Sequence, residues 1–116
     1  MKDFIKVTKA LSDPNRVKII KMLQQRAMFV YELQAALGIA QPTVSKHLKV
    51  LENAGLVTFQ KEGTRVSYCV ANGTSSPYAA SILGNLKHWL ENAPEMTELQ
   101  ARLPDIHRAA IQERVR

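Results

Sequence analysis

The side chains best suited to chemistry lie together in one short stretch, Gln41-Pro42-Thr43-Val44-Ser45-Lys46-His47-Leu48-Lys49. Wound as a helix, it puts Val44, Leu48 and Leu51 on one side. That leaves Thr43, Ser45, Lys46 and Lys49 on the other, with Gln41 and Pro42 at the leading end. Such an outward set suits the edges and backbone of a DNA duplex. Glutamine bonds adenine in two places, serine and threonine bond bases or phosphates, and lysine reads guanine or neutralises phosphate. His47 is expected either to touch DNA or to support the helix. A helix N-terminus also attracts phosphate through its free N–H groups. A second polar group follows at Lys61-Glu62-Gly63-Thr64-Arg65, where Lys61, Gly63, Thr64 and Arg65 are the expected contacts to the DNA backbone.

Something must hold these two groups in place. Apolar spacing predicts a first helix over roughly 3–11, with Phe4, Val7 and Leu11 on one face. Asp13-Pro14 reads as N-cap and first residue of a second helix, with Val17, Ile20 and Leu23 inward and Arg16, Lys18 and Lys21 mainly off that stripe. A third helix over roughly 30–37 presents Val30, Leu33 and Leu37 and stops at Gly38. Pro42 opens the fourth a few residues later, the spacing of a helix-turn-helix. After Gly55 the period drops to two. Val57 and Phe59, then Val66, Tyr68 and Val70, predict a β-hairpin turning at 61–64. Placed directly after the fourth helix, that hairpin is a wing. Helical spacing returns over 78–91 with Ala79, Ile82, Leu83, Leu86 and Leu90. Beyond Pro94, one or two short helices split by Pro104 are expected. The fold class is thus mostly α with a β-hairpin wing, a winged helix-turn-helix. Residues 1–92 are expected to form the DNA-binding and dimerisation domain and 93–116 a helical tail.

Charge agrees with this reading. The 116 residues carry a formal net charge of +6, and seven basic against two acidic groups fall within residues 1–26. A small basic protein favours an anionic partner. The lone cysteine, Cys69, excludes an internal disulfide and fits a reducing compartment. Its place in the alternation turns it away from Tyr68 and Val70. The N-terminus has no apolar stretch of signal-peptide length, and no run reaches the roughly 18 apolar residues of a membrane span. A soluble, cytoplasmic protein with no membrane contact is expected.

Several segments together resemble the ArsR/SmtB repressors. Ala10-Leu11-Ser12-Asp13-Pro14-Asn15-Arg16 is similar to their opening, and residues 41–48 to their recognition helix. Leu51-Glu52-Asn53-Ala54-Gly55-Leu56-Val57 resembles the exit into the wing, and residues 62–68 the wing itself. The likeness runs over roughly 8–91. It implies a homodimer on an inverted-repeat operator of double-stranded DNA, with repression relieved by a ligand, often a metal. It implies a dimer interface on the first helix and the one after the wing, here Phe4, Val7, Leu11, Ile82, Leu83, Leu86, Trp89 and Leu90. A charge at Leu86 is then expected to disperse the dimer. Ala40 departs from the pattern, which usually offers a serine able to cap the recognition helix, a loss of about 1 kcal/mol. Gln41 or a water is expected to substitute.

The family's metal sites are not repeated here. Its arsenic sensors carry thiols at the start of the third helix, where this chain has Phe29, Tyr31 and Gln34. Its zinc sensors use an Asp and a His early in the dimer helix, which fall on Ser75 and Pro77, then a pair that His88 and Glu91 resemble. Two ligands of four are too few for zinc sensing. No metal and no other cofactor is expected, and the inducer is unidentified. His107 is too isolated to assign. The competing reading is a winged-helix module that binds protein without a specific DNA target. It predicts exposed aromatic residues on 41–49, and that stretch has none. No nucleophile–base pair, phosphate-cradling loop or metal-ligand cluster speaks for an enzyme.

Overall fold

The computed structural model describes residues 1–115, with side chains through 112. Six helices and three strands follow one another in the order α1 (Lys2–Ala10), α2 (Pro14–Gln25), β1 (Met28–Phe29), α3 (Val30–Leu37), α4 (Gln41–Asn53), β2 (Val57–Glu62), β3 (Arg65–Val70), α5 (Pro77–Leu86) and α6 (Pro94–Val115). Helix starts follow the local chemistry. The Asp13 carboxylate accepts from the Asn15 and Arg16 N–H groups at 2.8 and 3.4 Å, with Pro14 in the first turn. Ser76 does the same for α5, accepting from Ala79 at 3.2 Å. Gly38 ends α3 in the left-handed conformation (φ 68°), so its N–H reaches the Gln34 carbonyl at 2.9 Å.

The sheet is antiparallel with order β1-β3-β2. Glu62 pairs with Arg65, so the hairpin turns through Gly63-Thr64 alone, and Lys61 and Glu62 belong to the strand rather than to a four-residue turn. Gly63 opens this turn at φ 65°, a conformation glycine takes without steric cost. The third strand, β1, pairs Met28 with Tyr68 and Phe29 with Ser67. At two residues it leaves no periodic signal.

The core is one cluster running from Val7 and Ala10 through Ile19, Ile20, Leu33, Val44, Leu48 and Leu51 to Leu83, Leu86, Leu99 and Leu103. Val44, Leu48 and Leu51 are buried as the spacing predicts. Val17 is only half-buried, and Lys21 is inside at 3% exposure rather than on the outer face.

Two further elements depart from expectation. The segment after Pro94 is a single helix with Pro104 inside it. Proline removes one N–H, the partner of the Gln100 carbonyl, but Leu99, Leu103, Ile106 and Ala110 keep one apolar face packed on α3 across that gap. Helix α5 stops at Leu86 instead of running to 91. In a continuing helix the Leu86 carbonyl would accept from Leu90. Here the Lys21 ammonium donates to it at 2.6 Å, and Leu90 turns to φ 63°. No helix among the described residues is long and apolar enough to cross a membrane.

Candidate nucleic-acid interface

The α4 surface is set by what lies beneath it. Its buried side packs on α1, α2 and α3. Gln41, Pro42, Thr43, Lys46 and Lys49 are exposed, whereas Ser45 and His47 are half-buried. Ala40 precedes the helix with no side-chain cap. Gln41 does not take over that role, because its amide donates to the Ser45 hydroxyl at 2.9 Å. In the first turn Pro42 has no N–H and Thr43 donates to the Ala40 carbonyl at 3.1 Å, which leaves the Gln41 N–H as the first-turn donor open to a phosphate oxygen.

His47 is tied inward. Its Nδ1 lies 3.2 Å from Arg16 Nη1. Arg16 also donates from Nε to the Ala10 carbonyl at 2.7 Å and from Nη2 to the Lys9 carbonyl at 3.2 Å. One guanidinium thus closes the C-terminal end of α1, where carbonyls lack helical partners, and props the middle of α4. With Arg16 as donor, the His47 ring accepts at Nδ1 and keeps its proton on Nε2.

On the wing, Lys61, Gly63 and Thr64 are exposed. Arg65 is not. It is half-buried, with its guanidinium carbon 5.8 Å from the centroid of the Phe29 ring. Tyr68 sits between Met28 and Phe59 across the sheet, its ring 5.9 Å from that of Phe59. Burial, reinforced by Glu52, pushes its phenol above the usual range, so it stays protonated. Cys69 is half-buried and carries a free thiol.

The residues expected at a subunit interface divide into two groups. Val7, Leu83 and Leu86 are buried in the chain's own core, and Leu11 and Ile82 are half-buried against it. Phe4, Trp89 and Leu90 are on the surface. Phe4 meets Tyr78 of α5 edge-on at 5.5 Å, while Trp89 and Leu90 lie just past the other end of α5. Because Leu86 spends its side chain inside the subunit, an aspartate there strikes folding before it reaches any partner.

Two polar clusters went unread in the sequence. Lys21 donates to the Leu86 and Trp89 carbonyls at 2.6 and 2.8 Å and pairs with Glu91. Beside it, Gln24 donates to the Leu83 carbonyl at 2.8 Å. His107 of α6 lies 2.8 Å from Glu32 Oε2, and Glu32 Oε1 accepts from the Phe29 N–H at 2.9 Å. Both lysine and histidine advertise themselves weakly. Lys21 is four residues after Val17, and His107 four after Leu103, so each stands on an apolar stripe. His88 and Glu91 fall beyond the end of α5 and share no helical face.

A helix-turn-helix followed by a β-wing, with cations on the outward side of the second helix, defines a winged helix-turn-helix regulator. Residues 13–58 match the family described as "Bacterial regulatory protein, arsR family". The chain is 42% identical over 64 residues to the HTH-type transcriptional repressor SmtB of Mycobacterium tuberculosis, covering 55% of this chain and 47% of that protein. It is 39% identical over 67 residues to the uncharacterized HTH-type transcriptional regulator MJ1325 of Methanocaldococcus jannaschii, covering 57% and 75%. In structure it resembles the homodimeric winged helix-turn-helix DNA-binding domain Mb0332 of Mycobacterium bovis, with TM-score 0.62, 29% identity and coverage of 80% and 86%. The chain belongs to the ArsR family. It spans about half the length of the SmtB repressor it matches.

Proposed function

We propose that the chain is a homodimeric transcriptional repressor that lays α4 in the major groove and its wing along the adjacent DNA backbone. The observation that carries this reading is the outward face of α4, with Thr43, Lys46 and Lys49 exposed beside an uncapped N-terminus. Lys61, Gly63 and Thr64 at the wing tip add backbone contacts. Arg65, folded onto Phe29, acts through the wing's position. The homodimeric Mb0332 domain supports the two-fold arrangement.

Selection from randomised duplex DNA should return an inverted repeat whose half-site centres lie about 34–36 Å apart. Affinity for that operator should fall steeply with salt, and Lys49→Ala should reduce the slope of log affinity against log salt by about one per subunit contact. An unchanged slope in both Lys49→Ala and Lys46→Ala would remove α4 from the DNA face. Selection of an asymmetric site bound by one subunit would remove the dimer.

Release does not run through the family's metal positions in this reading. Glu91 is held by Lys21, His107 by Glu32, and the third helix offers no thiol. A lone His88 leaves zinc largely hydrated and gives it little differential affinity for either state of a dimer. Zinc, cadmium and arsenite at micromolar concentration should therefore leave operator binding unchanged within about twofold. Release by zinc that disappears in His88→Ala would contradict this.

A further inference from the structure

A groove of about 660 Å³ runs between α3, α6 and the start of β3. Tyr31, Ala35, Ile106 and Ala109 give it a largely apolar wall. Its volume is that of a small-molecule site. Three charged residues border it, and two of them are already satisfied. Both Glu32 oxygens are engaged, by the Phe29 N–H and by His107. Asp105 is exposed and paired with Arg108. Arg65 is the exception. No carboxylate among the described residues pairs with it, its Nη1 is buried without a hydrogen-bond partner, and its recorded contact is the Phe29 ring. A half-buried guanidinium lacking a counter-charge is poised for an anion, and its planar fork fits a carboxylate.

We propose that this groove binds a small organic carboxylate, its charge on Arg65 and its apolar body between Tyr31, Ala35, Ile106 and Ala109. The occupant bridges three elements. Arg65 opens β3 next to the wing turn, Tyr31 and Ala35 belong to α3, and Ile106 and Ala109 to α6. Because α3 packs on α4, the same ligand biases both the wing and the recognition helix. This effect on DNA rests on the repressor reading. The binding itself does not.

Three probes of similar size decide it: 1-naphthoate, neutral 1-naphthamide and cationic 1-naphthylmethylammonium, each titrated into the 116-residue chain without DNA. Amide NMR resonances of Tyr31, Ala35, Arg65 and Ala109 report the groove. Naphthoate should shift them, naphthamide should bind at least about tenfold more weakly, and the ammonium should leave them in place. Arg65→Gln should weaken naphthoate at least about tenfold, the loss of a charge-assisted pair. Ala109→Trp, a change at an exposed position, should block it by filling the groove. Silence of the groove resonances toward naphthoate overturns the proposal. So does equal binding of the three probes, or full naphthoate affinity in Arg65→Gln. Operator titrations on the same proteins separate the two readings. A chain that binds naphthoate but no selected DNA keeps the groove and loses the repressor. One that binds DNA but not naphthoate does the reverse.

Discussion

Lys21→Met should lower the free energy of unfolding by about 2–3 kcal/mol, the cost of stranding buried acceptors. The lysine is 3% exposed and its ammonium serves three groups at once. Methionine keeps the volume and the apolar stem but donates nothing, so the Leu86 and Trp89 carbonyls lose their partner. Glu91 matters less. Its side chain is 48% exposed, water replaces the lost partner, and Glu91→Gln should cost under about 1 kcal/mol. Urea unfolding of the three proteins at one fixed concentration measures both effects, since a dimer's stability depends on concentration. Amide exchange over residues 87–91 should quicken in Lys21→Met, because the ammonium is what holds that turn. Equal midpoints for Lys21→Met and the parent chain would show that the turn stands without it.

This clamp also shows where sequence reading stops. Binary pattern places a lysine outside, and Lys2, Lys6 and Lys9 of α1 are exposed, while Lys18 of α2 is half-buried. Lys21 reverses the rule because its acceptors are backbone carbonyls 65 and 68 residues away, and carbonyls carry no residue identity. The same limit hides the end of α5. Its apolar spacing continues to Leu90, yet the last turn is displaced by a donor from another helix. Features specified within a few residues were legible: Asp13-Pro14 starting α2, Gly38 stopping α3, Gly63 turning the wing, and Val44, Leu48 and Leu51 burying one side of α4. The outward face of α4 follows directly from that burial. The place of Arg65 on the wing predicts a DNA contact, but its aromatic neighbour Phe29 comes from β1, a strand too short to leave a pattern. The groove behind it depends on α6 crossing Pro104 unbroken, which local rules disfavour and the apolar face on α3 sustains.

Phe4 and Val7 sit three residues apart on α1, and aspartate at each should produce opposite failures. Phe4 is 45% exposed and Val7 1%. In Val7→Asp a carboxylate enters a core with no waiting donor. It stays in only by binding a proton or by opening the structure, and the expected loss exceeds about 4 kcal/mol, enough to unfold a small domain. In Phe4→Asp the new charge lies in the first turn of α1, where the helix N-terminus favours an anion. The subunit therefore keeps its helical circular dichroism. What it loses is the aromatic surface that Phe4 and Tyr78 offer together at 5.5 Å. A two-fold interface counts each change twice, and an aromatic anchor is commonly worth about 2 kcal/mol or more, so the dimer should weaken by about 1,000-fold. Sedimentation equilibrium then finds folded monomer for Phe4→Asp and unfolded chain for Val7→Asp at concentrations where the parent is dimeric. On the repressor reading, the monomeric variant should also bind half-operator and full operator equally, since linking two recognition helices raises affinity for a paired site. A Phe4→Asp chain that stays dimeric would place the subunit interface away from α1. A folded Val7→Asp chain would contradict the packing of α1 against α4 and α5.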